Sequence, residues 1–152
     1  MHICTSINLK TNFMKPVTTF FIVTFLLMVN VLKAQEKQTI TATVVNVTTN
    51  TGKVGFALYD KTSFMKRPIK AKKSEIINGK STVIFKNLEK GTYAILCYHD
   101  KNGNNKMDFE PSGIPLEDYG ASNNASSPYG PPSFNDAKFI LTDKNVPLDI
   151  RF

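Results

Sequence analysis

Past residue 35, no dozen consecutive residues hold the apolar spacing of a helix, and this narrows the fold more than any motif does. In its place stand short β-type segments closed by turn signals. Thr39 to Val47 reads TITATVVNV, rich in β-branched residues, and ends in the polar run Thr48 to Gly52. In Lys53 to Tyr59, Val54, Phe56 and Leu58 alternate with Lys53, Gly55 and Ala57, as in a strand with one face toward a core. Glu75 to Ile77 is a weak strand turned by Asn78-Gly79, the dipeptide favoured in a type I′ hairpin. Lys80 to Lys86 returns with Ser81, Val83 and Phe85 on one face. Thr92 to His99 is apolar on both faces, as a central strand is, and Ala137 to Leu141 with Val146 to Phe152 reads as a last pair around Thr142 to Asn145. The pattern predicts an all-β fold, an antiparallel β-sandwich of about seven strands of the immunoglobulin-like or transthyretin-like kind. One stretch, residues 100–135, is rich in Asn, Gly, Pro and Ser and has no period. A loop that long inside a small domain is where a site is sought.

The first 34 residues read as an address. Lys15 precedes an apolar run from Phe20 to Val29, and Ala34 precedes the polar Gln35-Glu36-Lys37. The run is short of the roughly 20 apolar residues that span a bilayer, so a signal peptide over 1–34 is expected, with Met14 a second candidate start. Residues 35–152 then form a single β-sandwich domain, exported to the periplasm or beyond the cell, with no transmembrane segment. Export makes the cysteine count informative. Once Cys4 is removed, Cys97 has no intrachain partner, and its apolar run Tyr93 to Tyr98 marks it as a small buried hydrophobe.

The long loop opens with Asp100-Lys101-Asn102-Gly103-Asn104-Asn105-Lys106-Met107-Asp108. Side-chain oxygens stand at positions 1, 3, 5 and 9, the spacing of an EF-hand-type calcium loop. A hard cation takes roughly 6–8 oxygens, and alternate residues of a tight loop point inward to supply them. Lys106 at position 7 would contribute its backbone carbonyl. Asn105 at position 6 replaces the usual glycine and tolerates positive φ next best. Position 12 is Pro111, so the closing carboxylate would come from Glu110, one residue early, or from Glu117 or Asp118 folding back. The expected ligand set is therefore Asp100, Asn102, Asn104, Lys106, Asp108, Glu110 and Glu117, holding calcium in the ~10⁻⁴–10⁻³ M class of extracellular modules. The alternative is an Asx-rich turn closed by its own hydrogen bonds, without an ion.

The runs Gly91-Thr92-Tyr93-Ala94, Tyr98-His99-Asp100-x-Asn102-x-Asn104-x-x-x-Asp108, Gly113-Ile114-Pro115-x-Glu117-x-Tyr119-Gly120-x-Ser122-Asn123 and Gly130-Pro131-Pro132-Ser133-Phe134-x-x-Ala137 resemble an exported bacterial family, domain-of-unknown-function family 2141. The likeness covers about residues 38–152. It implies a small β-sandwich akin to transthyretin-like or carboxypeptidase-regulatory modules, and it implies no activity.

The other candidates each carry two readings. His99 either ligates a transition metal or caps the loop. Glu110 with Glu117 or Asp118 could be read as a hydrolase carboxylate pair, but no GxSxG, HExxH, CxxC or GxxxxGK[ST] pattern accompanies them. Lys61 to Lys73 holds six basic residues and no acid. Its denser part, Lys66 to Lys73, has no interleaved aromatics to stack bases, so nucleic acid is not expected, and a solvated sheet edge is the simpler reading. Tyr119, Tyr129 and Phe134 either line a groove or pin the loop to the sandwich. Together these features predict a monomeric, non-enzymatic binding or structural module of the cell envelope. A hydrolase using the acidic loop and a metal-free scaffold are the alternatives.

Overall fold

A computed structural model describes residues 37–128 and 130–152. The expected signal peptide and Tyr129 lie outside the described residues. Lys37–Phe152 forms a compact unit with its own core.

Eight strands carry the fold: β1 (Gln38–Val44), β2 (Lys53–Tyr59), β3 (Lys70–Glu75), β4 (Ser81–Leu88), β5 (Gly91–Asp100), β6 (Tyr119–Ala121), β7 (Phe139–Leu141) and β8 (Val146–Ile150). A 3₁₀ turn at Ser122–Asn124 and a single helical turn, α1 (Phe134–Ala137), interrupt the long loop. One sheet runs β4-β1-β8. The other runs β3-β2-β5-β6, with β7 also on β5, whose far edge it shares with β6. The architecture is the expected all-β sandwich. All pairings are antiparallel except β1 with β8, which is parallel.

The alternation read in the sequence decides what each strand buries. Val54, Phe56 and Leu58 of β2, Ser81, Val83 and Phe85 of β4, and Ile40, Ala42 and Val44 of β1 all turn inward. Apart from Ser81 they form, with Ile95, Cys97, Leu141 and Ile150, one cluster shared by both sheets. Cys97 is a buried free thiol donating to the Gly120 carbonyl, and burial pushes its pKa up to about 12, so it packs as a hydrophobe rather than acting as a nucleophile.

Three expectations are corrected. The final two strands do not pair with each other: β7 joins β5, β8 joins β1, and Thr142 to Asn145 crosses between the sheets. The end of the basic segment, from Lys70 to Lys73, is strand, since Lys70–Glu75 is the outer strand of the larger sheet, paired to β2 alone by main-chain ladder. Lys72 faces water at this edge, whereas Lys73 turns to the buried Asp100, so the solvated-edge reading holds for only part of the segment. The stretch 100–135 also contains a strand, β6, which has no period because it is three residues long. Asn78 (φ 52°) and Gly79 (φ 72°) make the expected turn between Ile77 and Lys80.

Phe134 pins the loop. Its ring meets Phe64 edge-on at 5.4 Å over a small cluster of Ala94, Ala121 and Ala137.

Candidate metal loop

Asp100 is the last residue of β5 and is only 2% exposed. A row across the sheet fixes what neutralises it. Gly55 of β2 stands between Tyr98 of β5 and Lys73 of β3 in register, and a Cβ there would lie 2.6 Å from the Tyr98 ring. The bare glycine lets the ring lie across it, and the Lys73 ammonium passes 5.9 Å from the ring centre to reach Asp100 Oδ2 at 2.8 Å. The same oxygen accepts the Asn105 amide at 3.1 Å. Asn105 sits at φ 68°, the left-handed conformation expected at position 6. Asp100 Oδ1 is buried and has no hydrogen-bond partner among the described residues.

Burial raises the Asp100 pKa, but Lys73 and the loop amides outweigh it and hold the carboxyl below its usual value. A depressed folded pKa contributes stability that is complete above the unfolded value of about 4 and is lost as pH falls through the folded one. In chelator, the urea midpoint is therefore expected to fall below about pH 4. In Lys73→Met, only burial and the amides remain, so the neutral-pH midpoint drops and the acid limb flattens. An acid limb unchanged by that substitution would exclude the pair as its source.

The rest of the loop closes on Asp108. Asn102 Nδ2 donates to its Oδ2 at 2.6 Å, and Asn104 Nδ2 donates to both oxygens at 2.9 and 2.8 Å. The two amide oxygens accept backbone N–H groups two residues on, from Asn104 at 3.0 Å and Lys106 at 2.8 Å. These are Asx turns.

Residues 109–115 form a small hairpin. Leu116 N–H bonds to Asp108 O, Glu110 N–H to Ile114 O, and Phe109 bridges to Pro115. The hairpin returns the chain to the loop at Glu117, which is buried. Its Oε1 accepts the Lys101 amide at 2.9 Å and its Oε2 the Asp108 amide at 3.4 Å. Glu117, not Glu110, is thus the carboxylate tied to the loop backbone. Glu110 is exposed, and its side chain accepts from Ser112 within the hairpin at 3.2 Å.

Asp100, Asn102, Asn104, Asp108 and Glu117 supply the oxygens a hard cation takes. In the described arrangement the Asn102 and Asn104 amides turn their NH₂ groups, not their oxygens, to Asp108. Among the described residues, no three His, Cys, Asp or Glu side chains come together as a metal-holding group. A cation would therefore have to turn both amides and draw the three acids inward.

His99 is buried beside the loop. Its Nε2 lies 2.7 Å from Thr51 O, and its ring stacks on Phe152 at 6.4 Å. Asp118 faces its Nδ1 at 3.8 Å and pairs with Lys101 at 3.1 Å. Burial raises the Asp118 pKa, but Lys101 and Thr48 outweigh it and lower it overall. Tyr119 borders an open groove of about 510 Å³ with Leu116, Ala125, Arg151 and Phe152.

The motif Tyr119-Gly120-x-Ser122-Asn123 proves to be structural. Ser122 Oγ is fully buried, accepts Ile95 N–H at 2.9 Å and donates to Ala137 O at 2.5 Å. Asn123 donates to Asp136 O and Lys138 O, and Asn124 accepts Arg151 N–H at 2.8 Å. The residues after the loop are thus clamps that hold its far end to both sheets.

A family model described as an uncharacterised protein conserved in bacteria, DUF2141, matches residues 42–149. The chain belongs to that family. The DUF2141 match runs from Ala42 within β1 through most of β8 and contains both the loop and its clamps. No curated protein and no solved structure matches the chain. Among the described residues, no helix is long and apolar enough to cross a membrane.

Proposed function

We propose that this DUF2141 protein is an exported, non-enzymatic module of the cell envelope, akin in plan to transthyretin-like and carboxypeptidase-regulatory sandwiches, whose 100–117 loop takes calcium weakly. The observation that carries the reading is Asp100. One of its oxygens is held by Lys73 and the Asn105 amide, while the other is buried without a partner among the described residues, at the first position of an Asp/Asn loop. An unpaired buried carboxylate oxygen is costly, and a bound cation would satisfy it. Glu117 supports the reading from the other end, because the hairpin brings it to the loop where the sequence lacks a carboxylate at position 12. Asn102, Asn104 and the Lys106 carbonyl would complete the shell once the two amides turn. The ion would order the loop and its hairpin rather than take part in a reaction.

The test is thermal unfolding with calcium and with chelator. A site of the expected class raises the midpoint by about 5 °C at ~10 mM calcium, through mass action on the native state. The rise disappears in Asp108→Ala and in Glu117→Gln. Equal midpoints in calcium and chelator would leave the loop as a turn closed by Asp108 and its two asparagines.

A further inference from the structure

The hairpin that returns Glu117 to the loop is unusually apolar for a surface turn. Phe109 is 55% exposed, Ile114 58% and Leu116 57%. The bridge between Phe109 and Pro115 puts Phe109 on one face of the hairpin, with Ile114 and Leu116 on the other, because side chains alternate along each arm. Apolar surface on both faces does not suit docking onto a flat protein patch. A stable protein interface buries roughly 1,000 Å² or more, beyond what a seven-residue turn offers. It suits a medium that surrounds the turn.

The backbone suits the headgroup depth. Glu110 N–H and Gly113 N–H are bonded to carbonyls within the hairpin and Leu116 N–H to Asp108 O at its base, Pro111 and Pro115 have no N–H, and the Phe109, Ser112 and Ile114 amides are left to interfacial water. Tyr119, 41% exposed, stands at the base, where an amphipathic ring suits a water–lipid boundary. Exposed Lys101 and Lys106 are the cations of the loop at that base. Glu110 limits the depth to the headgroup region. Residues 100–119 hold five acids against two lysines, and Lys73 bridges Asp100, so the loop end carries about −2 and repels an anionic surface until one divalent cation offsets it.

We propose that the 109–116 hairpin inserts into an anionic lipid surface, with the calcium loop at its base supplying the offsetting charge. The ion dependence rests on the calcium reading above, whereas the insertion rests on the hairpin alone. The test is co-sedimentation of residues 35–152 with vesicles of phosphatidylcholine alone and of phosphatidylcholine with phosphatidylglycerol in equal parts. Each is run in calcium and in chelator, alongside the thermal shift and size-exclusion chromatography. The wild type is expected to pellet with the anionic vesicles in calcium. The Phe109→Ser, Ile114→Ser, Leu116→Ser triple variant is expected to lose about a hundredfold in partition while keeping its calcium-induced thermal shift. A calcium shift without wild-type pelleting overturns the lipid proposal and spares the calcium reading. Hairpin-dependent pelleting that is equal in chelator, with no thermal shift, does the reverse. Pelleting unchanged in the triple variant moves the contact to the Lys61–Lys73 edge and overturns the proposal. Concentration-dependent dimerisation lost in that variant overturns it in favour of a second copy of the chain.

Discussion

Gly52→Ala is expected to lower the unfolding free energy by about 3–5 kcal/mol, combining left-handed strain with a backbone collision. Gly52 sits at φ 78°, and a Cβ there would lie 2.1 Å from Asp100 O and 2.9 Å from Lys101 Cα. Both neighbours are main chain, so no side-chain rotation relieves the contact. Either the turn after β1 or the end of β5 must move, and the second carries Asp100. Gly103→Ala is the matched control: its φ is 75°, yet nothing lies within 4 Å of the added atom. It should cost only about 1–2 kcal/mol. Urea midpoints measure both variants, and equal losses at the two positions would mean that the contact with Asp100 relaxes freely.

Ser122→Ala should cost about 2–4 kcal/mol, although it removes a single oxygen from a small side chain. That oxygen serves Ile95 N–H and Ala137 O, both on backbone that no water reaches to replace it. The variant leaves a donor and an acceptor without partners in the core, which is the expensive way to lose hydrogen bonds. Hydrogen exchange at the Ile95 amide gives the more specific readout. Fast exchange there, with β1 still protected, would show the far end of the long loop releasing from β5. A loss below about 1 kcal/mol would mean that the two groups find each other.

The strands that could be read from sequence are those whose environment is one-sided. Val54, Phe56 and Leu58 of β2 and Val83 and Phe85 of β4 recur at every second residue and are buried, so period and burial agree there. KAKKSE does not declare itself, because an edge strand with both faces exposed needs no alternation. YGA is strand only because β5 offers it an edge. Which partner each of the last two strands takes depends on contacts across about 50 residues for β7 and about 106 for β8, and no local signal encodes that. The loop divides the same way. Asp100, Asn102, Asn104 and Asp108 are spaced by the loop's own geometry and were legible. The choice of Glu117 over Glu110 required the 109–115 hairpin, and the Lys73 bridge required the neighbouring row of Gly55 and Tyr98. One signal was present and overlooked: Phe109, Ile114 and Leu116 stand among turn residues where a solvated loop has little use for them.

The parallel pairing of β1 with β8 sets an order of events in the life of the chain. Ile40 meets Val146 and Val44 meets Ile150, and the side chains of Asn145 and Asn46 fasten Thr39 and Phe152 across the same span. The smaller sheet therefore remains two-stranded until the chain has been delivered through Ile150. Contacts of such long sequence separation form slowly, because loop closure precedes any reward. A chain of this plan emerging from a ribosome, or threading through a translocation pore, stays open until its last strand arrives and then closes as a unit.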